Sequence, residues 1–430
     1  MAFDDPTTIY LKKTTEHWQS FLGLQLNCKT EKLLESSLQP TPKLPIYLDY
    51  QATTPLDPRV LEAMAPYFTD IFGNAASRTH RFGQAAYRAV EAARATVAAC
   101  INARPRDICF TAGATESVNL AIKGLFHAGG ATPQHFITVV TEHPAVLDSF
   151  RRIESEGAEV TYLPVDSQGM LDPKAVAAHL RPETKLVCVM AANNEIGVLQ
   201  PLEEIGAICR KQNVLFMTDA TQALGKIPLD VLKLNLHLLA GSAHKLYGPK
   251  GIGVLYCRRN QPKVSLVPIV DGGGHERGLR SGTLNVPGIV GLAKALEISL
   301  AEMKTEQVRL RALGECLMQT LTERIPGLKL NGHPGHRLAG NLNLCIPNIV
   351  NESLILALAD DLACSTGSAC TTTSVQPSHV LKALGLPSAE VHASVRIGLG
   401  RPTTAADVQH AAQAIVAQVA KLRSLTADGN

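Results

Sequence analysis

The sequence predicts an α/β protein whose large domain has a mostly parallel sheet and is followed by a smaller α+β domain. From about residue 46, short apolar runs alternate with segments of helical periodicity, which is typical of βαβ units. After about residue 300 the pattern changes to a long helix, short strands and a last helix. We therefore expect an N-terminal extension at 1–45, a large domain at 46–300 and a small domain at 301–430, and residues 46–60 could pack with the small domain.

Seven apolar runs are predicted as strands of the large domain: Ile108–Thr111, Phe136–Val140, Val160–Leu163, Leu186–Met190, Val214–Thr218, Leu236–Ala240 and Ile252–Tyr256. Because ligands gather at the carboxyl ends of parallel strands, motifs at those ends are expected to converge on one site. Helices are predicted at Glu302–Arg324 and from about Thr404 to Arg423, where Thr404 and Asp407 resemble a capping box.

Composition and charge exclude several classes of protein. The chain has 430 residues and a net charge of +3, which gives no support for nucleic acid or a membrane surface as the main partner. No apolar run approaches the roughly 18–20 residues of a membrane-spanning helix. Met1–Pro6 carries two acidic residues and no apolar signal core, so we expect a cytoplasmic protein.

The ten cysteines show no CxxC pair and no spacing typical of metal ligands. Most lie in apolar surroundings, so eight or nine of them are predicted to be buried, reduced thiols, and no metal is expected. A metal site built on Cys364 and Cys370 is a remote alternative, because no further ligand is suitably spaced.

Gly113–Ser117 follows a predicted strand and opens a helix. Such a turn offers backbone N–H groups, a hydroxyl and the positive end of a helix dipole to an anion. An ordinary helix cap explains the same residues equally well.

Asp219 and Lys245 also follow predicted strands. An acid at a strand end is often only a helix cap, but it would equally suit a protonated pyridine nitrogen. A lysine held among small residues after an apolar strand can react with a carbonyl group if its amine is desolvated. Most lysines are simply solvated, so it is the order of phosphate turn, Asp and Ser-x-His-Lys that favours a cofactor site.

Three further features are unusual. The loop Gly272–Thr283 is glycine-rich and could deliver a hydroxyl and a guanidinium to a phosphate, either in its own chain or across a dimer interface. Cys370 lies in a polar segment, where it is either an incidental surface thiol or an available nucleophile. Arg396 lies inside an apolar strand, which indicates a carboxylate partner that could be a substrate.

In this order, the motifs resemble the NifS/IscS branch of the cysteine desulfurases, within the class V aminotransferases. The resemblance runs from about Ile46 to Arg423. The matching segments are Tyr47–Pro55, Phe72–Asn74, Ser77–His80, Gly113–Ser117, Thr141–His143, Asn193–Gly197, Asp219–Gln222, His244–Lys245, Gly272–Thr283, Ser368–Cys370 and Arg396. It implies the fold type I of pyridoxal-phosphate transferases, which is aspartate-aminotransferase-like, and a homodimer.

The resemblance also implies how pyridoxal 5'-phosphate is held. Lys245 would bind it covalently, Asp219 would pair with the pyridinium nitrogen, and His143 would stack on the ring and move protons. Gln222 would hydrogen-bond the phenolic oxygen. The phosphate would be bound by Ala114, Thr115, Ser242 and His244, and by Thr283 of the second subunit.

For the reaction, the resemblance implies conversion of L-cysteine to L-alanine. Asn194 and Arg396 would bind the α-carboxylate of the substrate. The Cys370 thiolate would take the sulfur as a persulfide, and a long mobile loop would carry it to an acceptor protein, either a scaffold or a sulfur carrier. Iron–sulfur clusters, transfer RNA thiolation and DNA sulfur modification remain open as destinations.

The sequence departs from the family pattern without removing a catalytic group. Val118 and His237 stand where acidic residues or Asn are common, and Ala243 replaces a usual Gly. Asp271 and Thr371–Thr373 also differ. The chain ends at Asn430 without the tail that many relatives use to grip a scaffold, and residues 1–45 have no recognised counterpart.

Two other functions are compatible with parts of the pattern. A selenocysteine lyase or aminotransferase of the same family would not need a cysteine in a loop, so Cys370 argues against it. A non-catalytic sulfur-carrier scaffold would not need Lys245, Asp219 and His143, all of which are intact.

Overall fold

The protein is described by a computed structural model over residues 43–130, 132–366 and 377–427. Residues 1–42 of the N-terminal extension and the segment around Cys370 lie outside the described residues, and so do the predictions that concern them. No helix in the described part of the chain is long and apolar enough to cross a bilayer.

The predicted strands are all present, each within two residues of its expected ends. In chain order the strands of the described residues are β1 Ile46–Tyr47, β2 Ile108–Thr111, β3 His135–Val139, β4 Glu159–Leu163, β5 Thr184–Cys188, β6 Leu215–Asp219, β7 Leu238–Ser242, β8 Gly253–Cys257, β9 Lys329–Leu330, β10 Asn341–Cys345, β11 Leu362–Ala363 and β12 Ser394–Gly398.

The α-helices of the same residues are α1 Pro58–Met64, α2 Pro66–Thr69, α3 Arg81–Cys100, α4 Ala114–Ala128, α5 Pro144–Glu154, α6 Pro173–His179, α7 Leu202–Lys211, α8 Val286–Arg324, α9 Asn351–Ala357, α10 His379–Ala383, α11 Ser388–His392 and α12 Ala405–Ala427.

The large sheet of the described residues has seven strands in the order β2-β8-β7-β6-β5-β3-β4. Strands β4, β3, β5, β6 and β7 are parallel, whereas β8 runs antiparallel to both of its neighbours. Alternate residues of β5 enter cores on opposite faces: Val187 packs into one, and Leu186 and Cys188 pack into the other. Burial on both faces explains why this strand is a continuous apolar run. The prediction of an α/β fold with a mostly parallel sheet is confirmed.

A second group of strands is formed mainly by the last third of the described chain. Strands β12, β10 and β9 form one antiparallel sheet, and β1 pairs with β11. Ile46 and Leu48 join the core of this region together with residues of α8 and α12. The division of the chain at residue 300 stays a prediction, and helix α8 runs unbroken through that point.

Helix α8 starts sixteen residues before the predicted Glu302, and that prediction was wrong. Its true start is capped by Asn285, whose Oδ1 accepts a hydrogen bond from the N–H of Gly288 at 3.0 Å. The first half of the helix is buried on several sides and therefore lacks the polar stripe by which a surface helix is recognised. At α12 the capping box is confirmed, because Thr404 and Asp407 exchange backbone-to-side-chain hydrogen bonds at 2.8 and 3.1 Å.

The prediction that nearly all cysteines are buried was too broad. Among the eight cysteines of the described residues, five are buried, Cys100 and Cys364 are half-buried, and Cys316 is exposed on α8. Cys316 lies on the solvent side of a helix, where apolar neighbours in sequence do not imply burial.

Three of the departures from the family pattern are core positions. Val118 and Ala243 are fully buried among apolar side chains. His237 is 5% exposed, and its Nδ1 accepts a hydrogen bond from the backbone N–H of Phe216 at 3.0 Å. Val118 also lines the cavity described below, whereas Ala243 and His237 only fill the interior.

Candidate active site

A cavity of about 800 Å³ lies at the carboxyl edge of the parallel strands. It brings together residues that are up to 345 positions apart, from Gln51 to Arg396. Ten of the twelve residues singled out from the sequence line it: Ala114, Thr115, His143, Asn194, Asp219, Gln222, Ser242, His244, Lys245 and Arg396. Convergence of these polar groups in one cavity is typical of a binding or catalytic site.

One wall of the cavity is the turn that joins β2 to α4. The helix begins at Ala114, and its N-cap Gly113 provides no side-chain hydrogen bond. Within the described residues, no acceptor meets the backbone N–H groups of Ala114, Thr115 and Glu116. Three unpaired donors at the positive end of a helix dipole fit the oxygen atoms of a phosphate.

The position of this turn depends on a second glycine. A Cβ atom added to Gly253, the first residue of β8, would lie 2.5 Å from the carbonyl carbon of Gly113 and 2.8 Å from the oxygen of Gly241. Such distances are far inside van der Waals contact, so only glycine lets β8 lie against the turn.

Lys245 ends a short 3-10 helix, Ala243–Lys245, that follows β7 directly. Its Nζ donates hydrogen bonds to the backbone oxygens of Gln51 at 2.6 Å and Ala52 at 2.7 Å. The segment before α1 therefore holds the amine inside the cavity, where it can meet an aldehyde.

Asp219 is the last residue of β6, and it is 5% exposed. Its Oδ1 accepts hydrogen bonds from the backbone N–H and the hydroxyl of Thr221, while Oδ2 has no partner among the described residues. The carboxylate is therefore fixed in orientation with one oxygen available to a cationic ring nitrogen. Gln222, three residues on, donates its Nε2 to the oxygen of Gln51 at 2.8 Å.

His143 serves as the N-cap of α5 as well as a wall of the cavity. Its Nδ1 accepts a hydrogen bond from the N–H of Ala145 at 3.1 Å, so the neutral ring carries its proton on Nε2. Burial lowers the pKa of His143, and the Lys245 charge lowers it further against the opposing effect of Asp219. The ring is therefore neutral near pH 7 and presents an apolar face with one N–H at its edge.

Ser242 and His244 flank the lysine turn. The Nδ1 of His244 lies 3.1 Å from the hydroxyl of Thr53, which orients the ring. Burial, followed by the charge of Lys245, lowers the pKa of His244 to about 4. This histidine is therefore also a neutral hydrogen-bonding group at physiological pH.

Arg396 enters the cavity from the centre of β12 and is 2% exposed. Its Nη1 donates to the backbone oxygen of Asn194 at 3.0 Å. The guanidinium from the small sheet thus lies beside Asn194, which follows β5 of the large sheet, as a site for a carboxylate requires.

Two residues singled out from the sequence remain, Thr283 and Cys370. Thr283 is exposed and does not line the cavity. The loop that carries Thr283 is anchored instead by Glu276, which is paired with Arg94 at 2.7 Å, and by Arg280, which is paired with Glu116 at 2.9 Å. Cys370 lies outside the described residues.

Several residues of the cavity were not singled out from the sequence. Gln51 lies in the Tyr47–Pro55 motif, and only its backbone contacts the lysine, so its side-chain type carried no signal. Glu195 is buried next to Asn194 and accepts a hydrogen bond from the hydroxyl of Ser378 at 2.5 Å. Burial raises the pKa of Glu195, so a carboxyl group that the sequence shows as charged is biased toward its neutral form.

Glu142, next to His143, was missed in the same way. It is fully buried, and its Oε1 accepts a hydrogen bond from the N–H of Met190 at 2.5 Å, which joins the ends of two neighbouring strands. Burial raises the pKa of Glu142 well above its usual range. The sequence indicated Glu142 only through its position in the Thr141–His143 segment, which matches the family pattern.

Comparison with known proteins agrees with this arrangement. The profile of the family described as "Aminotransferase class-V" matches residues 46–410. Among curated proteins, cysteine desulfurase IscS of Anaeromyxobacter dehalogenans is 52% identical over 384 residues, which cover 89% of this chain and 95% of the relative.

Solved structures share the fold over nearly the same span. A NifS-like protein superposes with a TM-score of 0.81 at 34% identity, covering 89% of this chain and 100% of its own. A protein described as SspA in complex with cysteine has a TM-score of 0.74 at 37% identity, covering 82% of this chain and 98% of its own.

Proposed function

This chain belongs to the class-V aminotransferase family and is a pyridoxal-phosphate-dependent cysteine desulfurase, and from this premise we propose a role for each residue of the cavity. It acts on L-cysteine and passes sulfur to an acceptor. The observation that carries the proposal is one cavity in which an anion-binding turn, a lysine amine, a buried carboxylate and a buried guanidinium meet.

The cavity has groups that suit both the phosphate and the aldehyde of pyridoxal phosphate. We assign the phosphate to the unpaired N–H groups of Ala114 and Thr115 and to the side chains of Ser242 and His244. We assign the aldehyde to Lys245, whose amine otherwise donates to two backbone carbonyls. When bound, the cofactor withdraws electrons from the α-carbon of an attached amino acid.

Three side chains set the conditions for that withdrawal. Asp219 holds a proton on the pyridine nitrogen through its available Oδ2. His143 covers the ring and can pass a proton through Nε2, because its Nδ1 is committed to Ala145. Gln222 is placed to hydrogen-bond the phenolic oxygen. When its amine is not bound to the cofactor, the Nζ of Lys245 would take and return the α-proton.

Substrate is oriented by the opposite wall. The α-carboxylate of L-cysteine would bind Arg396 and Asn194, which would fix the orientation of the amino acid relative to Lys245. The guanidinium favours amino acids over amines, since only a ligand with a carboxylate can form a charge-assisted hydrogen bond with it.

Sulfur transfer completes the reaction at Cys370. The thiolate of Cys370 attacks the substrate sulfur, the carbon–sulfur bond breaks, and the substrate carbon takes up a proton. The products are L-alanine and a Cys370 persulfide, so atoms and electrons balance without an added oxidant. Transfer from that persulfide to an acceptor protein restores the thiol.

A homodimer is part of the proposal. Thr283 is exposed and outside its own chain's cavity, which suits a residue that reaches the phosphate of a second subunit. The segment just before its loop exposes Val267, Ile269 and Val270, and the rings of Phe72 and Phe82 form another exposed apolar pair 5.4 Å apart. Exposed apolar surface of this kind is typical of subunit interfaces.

Location and acceptor are further parts of the proposal. The thiols of the described residues are unpaired, which suits the reducing cytoplasm. The acceptor is a protein scaffold or sulfur carrier, with iron–sulfur cluster assembly as the first destination to test and transfer RNA thiolation as the second. A pull-down with the Cys370 persulfide form, with and without residues 1–45, identifies it.

The central test compares two cysteines. Cys370→Ala should release no sulfide from L-cysteine, yet should still show the substrate-induced change in cofactor absorption, because substrate binding does not need that thiol. Cys316→Ala, on the exposed face of α8, should retain native activity. Sulfide release by Cys370→Ala at the native rate would disprove the assigned nucleophile.

A further inference from the structure

Asp49 lies directly behind the proposed substrate-carboxylate site. Its Oδ1 accepts a hydrogen bond from the Nη2 of Arg396 at 2.7 Å. The side chain of Asp49 is 15% exposed, and that of Arg396 is 2% exposed, so the pair is largely withdrawn from water. Together with Asn194, which accepts from Nη1, Asp49 holds both terminal nitrogens of the guanidinium.

Asp49 is itself held from several directions. Ser365 donates its hydroxyl to the same Oδ1 at 3.3 Å. The backbone oxygen of Asp49 accepts from the Tyr47 hydroxyl at 3.0 Å and from the N–H of Ala52 at 2.9 Å. A β-bridge to Gly398, two residues beyond Arg396, sets the separation of the two backbones. The carboxylate therefore has little freedom to follow the guanidinium if it moves.

A planar guanidinium held at two nitrogens has a fixed plane. The direction in which Arg396 meets an incoming carboxylate is thus set by Asp49 and by the Asn194 backbone, not by the arginine alone. A nearly buried arginine without a carboxylate partner would also carry an uncompensated charge before substrate arrives.

We propose that Asp49 is a positioning residue that orients Arg396 for the α-carboxylate of the substrate. The proposal rests on the function assigned above to Arg396, and it deepens that function by naming what makes the carboxylate site. Asp49 touches neither substrate nor cofactor in this account, so its effect is confined to ligands that carry a carboxylate.

The test uses two ligands that differ by one group. L-alanine and ethylamine carry the same amine and methyl group, but only L-alanine has a carboxylate. Their binding to the holoenzyme is followed by titration of the cofactor absorption, and the KM and kcat for L-cysteine are measured in parallel. Asp49→Ala should weaken L-alanine binding and raise KM about tenfold, as expected for one charge-assisted hydrogen bond. Ethylamine binding and kcat should change much less.

The conservative variant separates positioning from general damage. Asp49→Asn keeps an oxygen that can accept from Arg396, so its affinity for L-alanine should stay within about threefold of native. Ser365→Ala, which removes a support of Asp49, should produce a smaller loss with the same selectivity for the carboxylate. Asp360→Asn, at an exposed carboxylate without hydrogen bonds or ion pairs to the described residues, is the matched control.

Two results would overturn the inference. One is native affinity for L-alanine in Asp49→Ala, and the other is an equal loss for L-alanine and ethylamine, which would indicate a merely structural role. Arg396→Ala distinguishes failure of the underlying assignment: if it leaves L-alanine affinity unchanged, the carboxylate site lies elsewhere, whatever Asp49 does.

Discussion

Replacement of Glu276 by alanine should destabilise the protein strongly, although Glu276 lies outside the active-site cavity. Its two carboxylate oxygens bind the two terminal nitrogens of Arg94 at 2.7 Å each, and Oε2 also accepts from the N–H of Phe110 at 2.9 Å. The exposed fractions of the Arg94 and Glu276 side chains are 3% and 1%. Removal of Glu276 leaves the buried Arg94 paired only with the partly exposed Glu91, 3.0 Å from its Nε, which costs about 3 kcal/mol.

The matched control is an exposed ion pair of the same chemistry. Arg151 and Asp148 pair at 2.7 Å, but their side chains are 64% and 68% exposed. Because water screens this pair, Asp148→Ala should cost less than about 1 kcal/mol. Replacement of both buried partners, Arg94→Met with Glu276→Leu, should recover most of the loss, since no buried charge remains.

Urea-induced unfolding of the holoenzymes, followed by circular dichroism at one cofactor concentration, measures these differences. A cost for Glu276→Ala no larger than that for Asp148→Ala would refute the assignment of a buried ion pair. If the reasoning holds, Glu276→Ala should also weaken cofactor binding, because the loop that presents Thr283 loses its anchor.

Two further predictions test other parts of the fold. Burial, followed by the charge of Arg258, lowers the pKa of His237 to about 4 from the usual 6.5. The unfolded chain therefore takes up a proton at this residue before the folded protein does, so stability is lost as the pH falls from 6.5 toward 4, by about 3 kcal/mol in total. The free energy of unfolding of His237→Asn, whose side-chain oxygen can still accept from the N–H of Phe216, should fall less over that pH range than that of the native protein. Equal pH dependence of the two unfolding free energies would contradict the assigned pKa. Gly253→Ala should weaken pyridoxal-phosphate affinity at least about tenfold, because the added Cβ would displace the anion-binding turn by its contact with Gly113. Equilibrium dialysis measures this affinity, and native affinity in Gly253→Ala would show that the turn tolerates the added Cβ. The control is Gly335→Ala, whose Cβ would lie 3.6 Å from its nearest neighbour.

The amino-acid sequence by itself determined the strands and the chemical character of the site. Apolar runs predicted every strand of the large sheet within two residues, and burial on both faces explains the continuous run of an inner strand such as β5. The order of turn, acid and lysine motifs at the shared carboxyl edge of the parallel strands indicated a cofactor site, and the family resemblance implied the ten residues that the fold brings to one cavity.

Only the tertiary structure decided which groups support that chemistry. Asp49 and Arg396 are 347 positions apart, and nothing in the sequence links them until β1 and β12 lie in neighbouring sheets. The protonation of His143 and Glu142 depends on how far each is withdrawn from water, which residue type does not reveal. The first half of α8 was missed because a helix buried on several sides has no polar face. In each case the deciding quantity is the environment that distant segments create around a group.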